Sequence, residues 1–335
     1  MNSPKPRGLF VLDDWAYEQI YGQELDAAVR QRLEIVAPPL NGAALLKNLH
    51  LLQDVEVIMG GWGMRVMDET FLEAAPKLRA VFLGAGSVKA VVSEPFWRRG
   101  IEIVSAYSMN AIPVAEFTVA AIIFSLKHVW KYALGMQREK RYLPKTGTMP
   151  GAYRTTVGLI SLGAIGRRTA DMLKSYDLHV IAYDPQCSAA QAAELGVELV
   201  SLDDVFKRSH VVSLHAPWLP ETERMITGAH FAAMRTGATF INTARGIIVR
   251  EQEMIEVLRV RPDLTALLDV TKPEPPPPDS PLFTLPNVVL TPHIAGAMDE
   301  ECRRLGHFLV EELDCFLAGN NSKWRLRREQ MAWMA

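Results

Sequence analysis

Short β-branched runs alternate along this chain with stretches whose apolar residues recur at helical spacing. The pattern predicts strands over residues 9–12, 34–37, 55–59, 78–83 and 101–104, separated by helices near 15–33, from 43, near 68–74 and near 94–99. Such a rhythm gives a parallel sheet, because each crossover must carry the chain back to the same edge before the next strand starts. A second series follows the connection at 144–153, whose Pro, Gly and Thr content interrupts the pattern. Its strands are expected over 156–160, 179–183, 211–214, 239–242, 264–268 and 288–290. The last helix, 299–317, sets Leu305, Phe308, Leu309, Leu313 and Phe316 at helical spacing and can return to the first domain.

The most apolar stretch, residues 114–126, contains Glu116 and falls short of the roughly 20 residues needed to span a bilayer, so it reads as a buried helix. A length of 335 residues gives room for two cores. A net charge of -2 offers no field for polyanions, so neither nucleic acid nor a membrane is an expected partner. Cys187, Cys302 and Cys315 form no C-x-x-C pair and no even set; buried thiols in a reducing compartment are expected. The first apolar run is closed at once by Asp13 and Asp14, which leaves no signal-peptide core and implies a cytoplasmic location. Pro275 to Pro278 must be extended, forming a rigid loop. The basic tail residues Lys323, Arg325, Arg327 and Arg328 read as a solvated face.

Ser161-Leu-Gly163-Ala-Ile-Gly166 follows the expected strand 156–160 and opens a helix, which is a dinucleotide fingerprint with its first glycine replaced. Gly163 lets backbone approach a pyrophosphate and Gly166 allows close helix packing, whereas Ser161 must hold the turn without glycine's freedom. A glycine-rich turn alone is a weak signal. Asp184, 18 residues past Gly166 at the end of the next expected strand, strengthens it, because a carboxylate there accepts from a ribose 2′-hydroxyl and repels a 2′-phosphate. No cation follows in Pro185-Gln186-Cys187, so NAD is expected rather than NADP. The competing reading is an acid that merely starts an Asp-Pro turn.

Ligands of open α/β sheets sit beyond the carboxyl ends of the strands. The residues just after the expected strands are His215-Ala216-Pro217, Thr243-Ala244-Arg245-Gly246, Asp269 and Thr291-Pro292-His293-Ile294-Ala295-Gly296. Reducing a 2-keto acid takes a cation for the carboxylate and carbonyl, a proton donor for the alkoxide, and an acid that favours the donor's charged form. Arg245 supplies a planar fork, His293 an imidazole whose type titrates nearest neutral pH, and Glu274 the carboxylate. Each has a plainer alternative: a strand-end cap, a turn histidine and a solvated acid. No metal site is expected.

These motifs, with Asp269-Val-Thr-Lys-Pro-Glu274-Pro275, Gly84-Ala85-Gly86 and Asn110-Ala-Ile-Pro-Val-Ala-Glu116, resemble the D-isomer-specific 2-hydroxyacid dehydrogenase family over nearly the whole chain. The resemblance implies an α/β protein of two doubly wound parallel-sheet domains. A Rossmann coenzyme domain at 107–297 is inserted into a flavodoxin-like substrate domain at 1–106 and 298–335. Further implied are a hydride exchanged between NAD and the 2-position of a small 2-keto or 2-hydroxy acid, and hinges at the two crossings. Substrate contacts would come from the backbone of Ala85 and Gly86, with Arg245 and His293. Cofactor contacts would come from Gly163, Ala164, Ile165, Gly166, Asp184, Ala216, Pro217, Thr243, Ala244, Asp269 and Gly296, with Asp269 at the nicotinamide amide. The apolar helix 114–126 would belong to a homodimer interface, a role its composition does not distinguish from a monomer core. Trp62 either limits substrate size or packs, and Arg65 either favours a second anionic group or is solvated. From another class, an NAD(H)-sensing corepressor-like binding protein uses the same scaffold.

Overall fold

The computed structural model describes residues 4–145 and 147–334. The chain divides into two compact units: Met1–Ala111 with Ala297–Ala335, and Ile112–Gly296.

The first unit is built on β1 (Arg7–Val11), β2 (Glu34–Ile35), β3 (Val57–Gly61), β4 (Ala80–Gly84) and β5 (Glu102–Ser105), all parallel, in the order β2-β1-β3-β4-β5. This is the flavodoxin-like order. Side chains alternate between sheet faces with period two, so each strand feeds two cores. Leu9, Val11, Ile58, Val81 and Leu83 join one. Phe10, Leu12, Met59 and Phe82 join the other, which Leu305, Phe308, Leu309 and Leu313 of the C-terminal helix Glu300–Leu317 complete.

The second unit contains β6 (Tyr153–Ile160), β7 (Asp177–Tyr183), β8 (Glu198–Leu199), β9 (Val211–Leu214), β10 (Thr239–Asn242), β11 (Thr265–Leu268) and β12 (Val288–Leu290). Their order is β12-β11-β10-β9-β6-β7-β8, every pair parallel. Counted from β6, this is the Rossmann order with a seventh strand added at one edge. Val212, Leu214, Phe240, Ala266 and Leu268 face one core, and Val211, Ile241 and Leu267 the other.

Several elements differ from expectation. The helix expected over 15–33 is two helices, Asp14–Ile20 and Gly22–Arg32, parted where Gly22 takes φ +50°. Only glycine adopts that region at no steric cost. Strand β3 starts two residues later than expected, and the helix Val129–Glu139 and the two-residue edge strand β8 were not anticipated. The apolar helix starts at Tyr107 and runs 20 residues to Leu126, because Pro113 does not break it. It is therefore long and apolar enough to cross a membrane by length and composition, which corrects the expectation that it falls short of a bilayer. Val119, Ala121, Ile122 and Leu126 are buried in the second unit's core, in one cluster with Val157, Leu159, Val211 and Ile241. Of the three cysteines, Cys187 and Cys302 are buried and Cys315 is half-buried. In the basic tail, Arg325 pairs with Glu102 at 3.0 Å and Arg328 with Glu94 at 2.9 Å.

Candidate active site

Strand register puts the chemistry-bearing residues in a row. Tyr183 pairs with Ile160, Ile160 with Leu214, Leu214 with Asn242, Asn242 with Leu268 and Leu268 with Leu290. Parallel strands ending in register deliver the following residues to one edge of the sheet. There lie Asp184, Ser161, His215, Thr243, Asp269 and Thr291.

At this edge Glu274 Oε1 stands 2.5 Å from His293 Nδ1, with both side chains close to half exposed. An imidazole bonded to a carboxylate through Nδ1 keeps Nε2 for a substrate and a fixed orientation. His293 sits at φ +57°, which costs a non-glycine residue about 1–3 kcal/mol and persists only where surroundings impose it. The surroundings are explicit. The His293 N–H donates to Asp269 O at 3.0 Å, while the buried Asp269 carboxylate accepts from Thr291 Oγ1 at 2.6 Å, Ile294 N at 2.8 Å and Ala295 N at 2.9 Å. Asp269, expected at the nicotinamide amide, thus shapes the turn that carries the histidine.

Arg245 follows β10 on a turn closed by Asn242, whose Nδ2 donates to Arg245 O at 3.1 Å and whose Oδ1 accepts from Ala244 N at 3.0 Å. Gly246 is required next, because a Cβ there would collide with the Thr271 carbonyl. Burial pulls the Arg245 guanidinium below its ordinary value, and the Glu274 carboxylate acts in the opposite direction. Its Nη1 donates to Ala244 O at 2.6 Å. Arginine, glutamate and histidine, far apart in sequence, therefore meet in electrostatic reach within one unit.

The residues fit a dinucleotide. Gly163 is the N-cap of the helix Ala164–Leu173 with no side chain capping it, so the first N–H groups of Ala164 and Ile165 remain for an anion. A Cβ on Gly163 would find only Ser161 Oγ, at 3.9 Å, whereas one on Gly166 would collide with the Ser161 carbonyl. The first glycine keeps space open for a ligand and the second lets helix and turn pack. Asp184 lies beside this turn, accepting from Leu162 N at 2.6 Å. Ala216 and Ala244 are buried, and Thr243 Oγ1 lies 3.4 Å from Thr118 Oγ1. Gly296 closes the second unit.

His215 is what sequence reasoning passed over in favour of its neighbours Ala216 and Pro217. It is buried, and neither ring nitrogen has a partner among the described residues. Unsatisfied buried nitrogens beside the fingerprint turn are what a ligand's polar groups would complete. Desolvation pushes its pKa down to about 3. The unfolded chain takes up a proton on this histidine below about pH 6.5, the folded one only near 3, so stability falls as pH drops through that window. Between pH 7 and pH 5 this group should cost the ligand-free protein about 2 kcal/mol. Denaturant unfolding of His215→Leu should show a flatter acid limb by that amount; an unchanged limb would mean that His215 is protonated in the fold.

In the first unit, Val11, Gly60, Leu83 and Ser105 form the matching row. Ser105 Oγ donates to Ala85 O at 2.9 Å, fixing the Gly84-Ala85-Gly86 loop. Trp62 accepts from Asp13 N through its carbonyl at 2.7 Å and stacks on Trp15 with ring centroids 5.4 Å apart. Asn110 Oδ1 accepts from Ala297 N at 3.0 Å, joining the points where the chain leaves and re-enters this unit.

Fold and site together define a dinucleotide-binding scaffold. Residues 119–295 match the model of the D-isomer specific 2-hydroxyacid dehydrogenase NAD binding domain. The chain belongs to the D-isomer-specific 2-hydroxyacid dehydrogenase family, and its second unit is an NAD-binding domain. It is 33% identical over 255 residues to a D-3-phosphoglycerate dehydrogenase of Mycobacterium leprae, covering 76% of this chain and 48% of that protein. It is 31% identical to a glyoxylate reductase of Korarchaeum cryptofilum, covering 76% and 77%. The chain spans about half the length of the phosphoglycerate dehydrogenases it matches. The crystal structure of the TT0316 protein of Thermus thermophilus superposes with a TM-score of 0.76 at 27% identity, covering 95% of this chain and 99% of that one.

Proposed function

We propose that this protein transfers a hydride between NAD(H) and the 2-carbon of a small 2-keto or 2-hydroxy acid of the D series. The observation that carries the reading is the Glu274–His293 bond, set at the same strand edge as the fingerprint turn and within electrostatic reach of a half-buried arginine. Bound NADH would supply the hydride. Arg245 holds the substrate carboxylate and polarises the keto oxygen, for which burial strengthens its field. His293 gives its Nε2 proton to that oxygen in reduction and takes it back in oxidation, and Glu274, bonded at Nδ1, holds the ring in place for it. Asp269 keeps the histidine turn in place, and Asp184 faces the adenine ribose. In the first unit, the Ala85 and Gly86 backbone is assigned to the carboxylate and Trp62 to the limit on substrate size.

Following NADH absorbance with glyoxylate, hydroxypyruvate, pyruvate and phosphohydroxypyruvate tests the reading; the first and last are the keto acids the relatives' names point to. Turnover of at least one is expected. NADH binding without turnover of any would favour the corepressor-like alternative.

A further inference from the structure

The turn between β6 and the helix Ala164–Leu173 places a serine where backbone freedom is needed. Ser161 stands at φ +78°, in the left-handed region that disfavours a side chain. On one side the turn is confined by Gly166, whose Cα lies so near the Ser161 carbonyl that any Cβ would collide with it. On the other side stands Asp184. Its Oδ2 accepts from Leu162 N at 2.6 Å and from the Ser161 hydroxyl at 3.4 Å. Its Oδ1 accepts from Gln186 N at 2.7 Å and Cys187 N at 3.0 Å, which anchors the carboxylate to the end of β7. Ser161 N in turn donates to Tyr183 O at 2.8 Å.

We infer that Asp184 is a positioning residue for the pyrophosphate turn: its carboxylate, tied down at the end of β7, holds Leu162 and thereby keeps Ser161 left-handed. A glycine at 161 would reach that conformation unaided. Here the restraint comes from a neighbouring strand. A carboxylate offers about four lone-pair sites; three backbone N–H groups use three of them here and the Ser161 hydroxyl, the longest contact at 3.4 Å, uses the fourth at Oδ2, so a ribose hydroxyl would take over that position from Ser161. Asparagine cannot replace it. Its amide has one acceptor oxygen, so its NH2 must oppose an N–H either at Leu162 or at Gln186 and Cys187.

The inference rests on the assignment of Asp184 to the cofactor site, and a double-mutant cycle separates the two. NADH affinity is measured by fluorescence titration for D184N in the natural background and in S161G. If Asp184 acts only as a ribose acceptor, its loss costs the same in both backgrounds. If it also restrains Ser161, the expected loss is about thirtyfold with serine present and about fivefold with glycine, a coupling within the range of contacting residues. KM for NADH should rise accordingly, with kcat for the keto acid changed much less. D184S is carried through the same cycle, since D184N alone can fail to fold; rescue of its solubility by S161G is the expected result and failure of that rescue overturns the restraint. Equal losses in both backgrounds would overturn the restraint and keep the ribose contact. No loss in either would overturn both.

Discussion

Replacing His293 with alanine should lower keto-acid turnover by about a hundredfold to ten-thousandfold, the range a general acid contributes, with the NADH dissociation constant nearly unchanged. The imidazole acts on a proton in flight, so its removal is felt in the transition state and little in the binding of the reduced cofactor. Glu274→Gln should show a smaller fall, because the amide still reaches Nδ1 and keeps the ring oriented while losing the carboxylate's charge. Stopped-flow measurement of NADH oxidation separates chemistry from release. Wild-type rates in the His293 variant would remove the histidine from the mechanism, and with it the role given to Glu274.

A loss on the order of a hundredfold in kcat/KM is expected for Arg245→Lys. Charge is preserved in that change, so a purely electrostatic role would survive it. Lysine cannot copy the planar fork, and a shorter head group set on the same turn cannot engage carboxylate and carbonyl together. The Asn242 bonds that close the turn use backbone atoms of residues 244 and 245 and are untouched by the substitution. Thermal unfolding should therefore stay within a few degrees of the natural protein. Retention of kcat/KM would place the substrate carboxylate elsewhere.

Much of the site could be read from the sequence because short motifs come directly after strands. Asn242 to Gly246 and Thr291 to Gly296 each end a β-branched run, and parallel strands ending in register must deliver such residues to one edge. Period-two burial likewise makes Leu9 and Phe10 face different cores, a pattern visible in the order of residues. Helix boundaries were less legible. Nothing local marks Tyr107 as a helix start, and Gly22 breaks a continuous apolar periodicity through a backbone angle that hydrophobic spacing does not encode.

Residue order by itself determined the parallel α/β class and the fingerprint turn, and it singled out Arg245, Glu274 and His293 as candidates, since these readings depend on local periodicity and on the segments that follow the strand ends. Tertiary structure alone decided which acid each turn leans on. Asp269 shapes the histidine turn and Asp184 reaches back to Leu162, both through hydrogen bonds between segments more than twenty residues apart. Such bonds form only once sheet register has brought strand ends together, so no local pattern in the chain announces them.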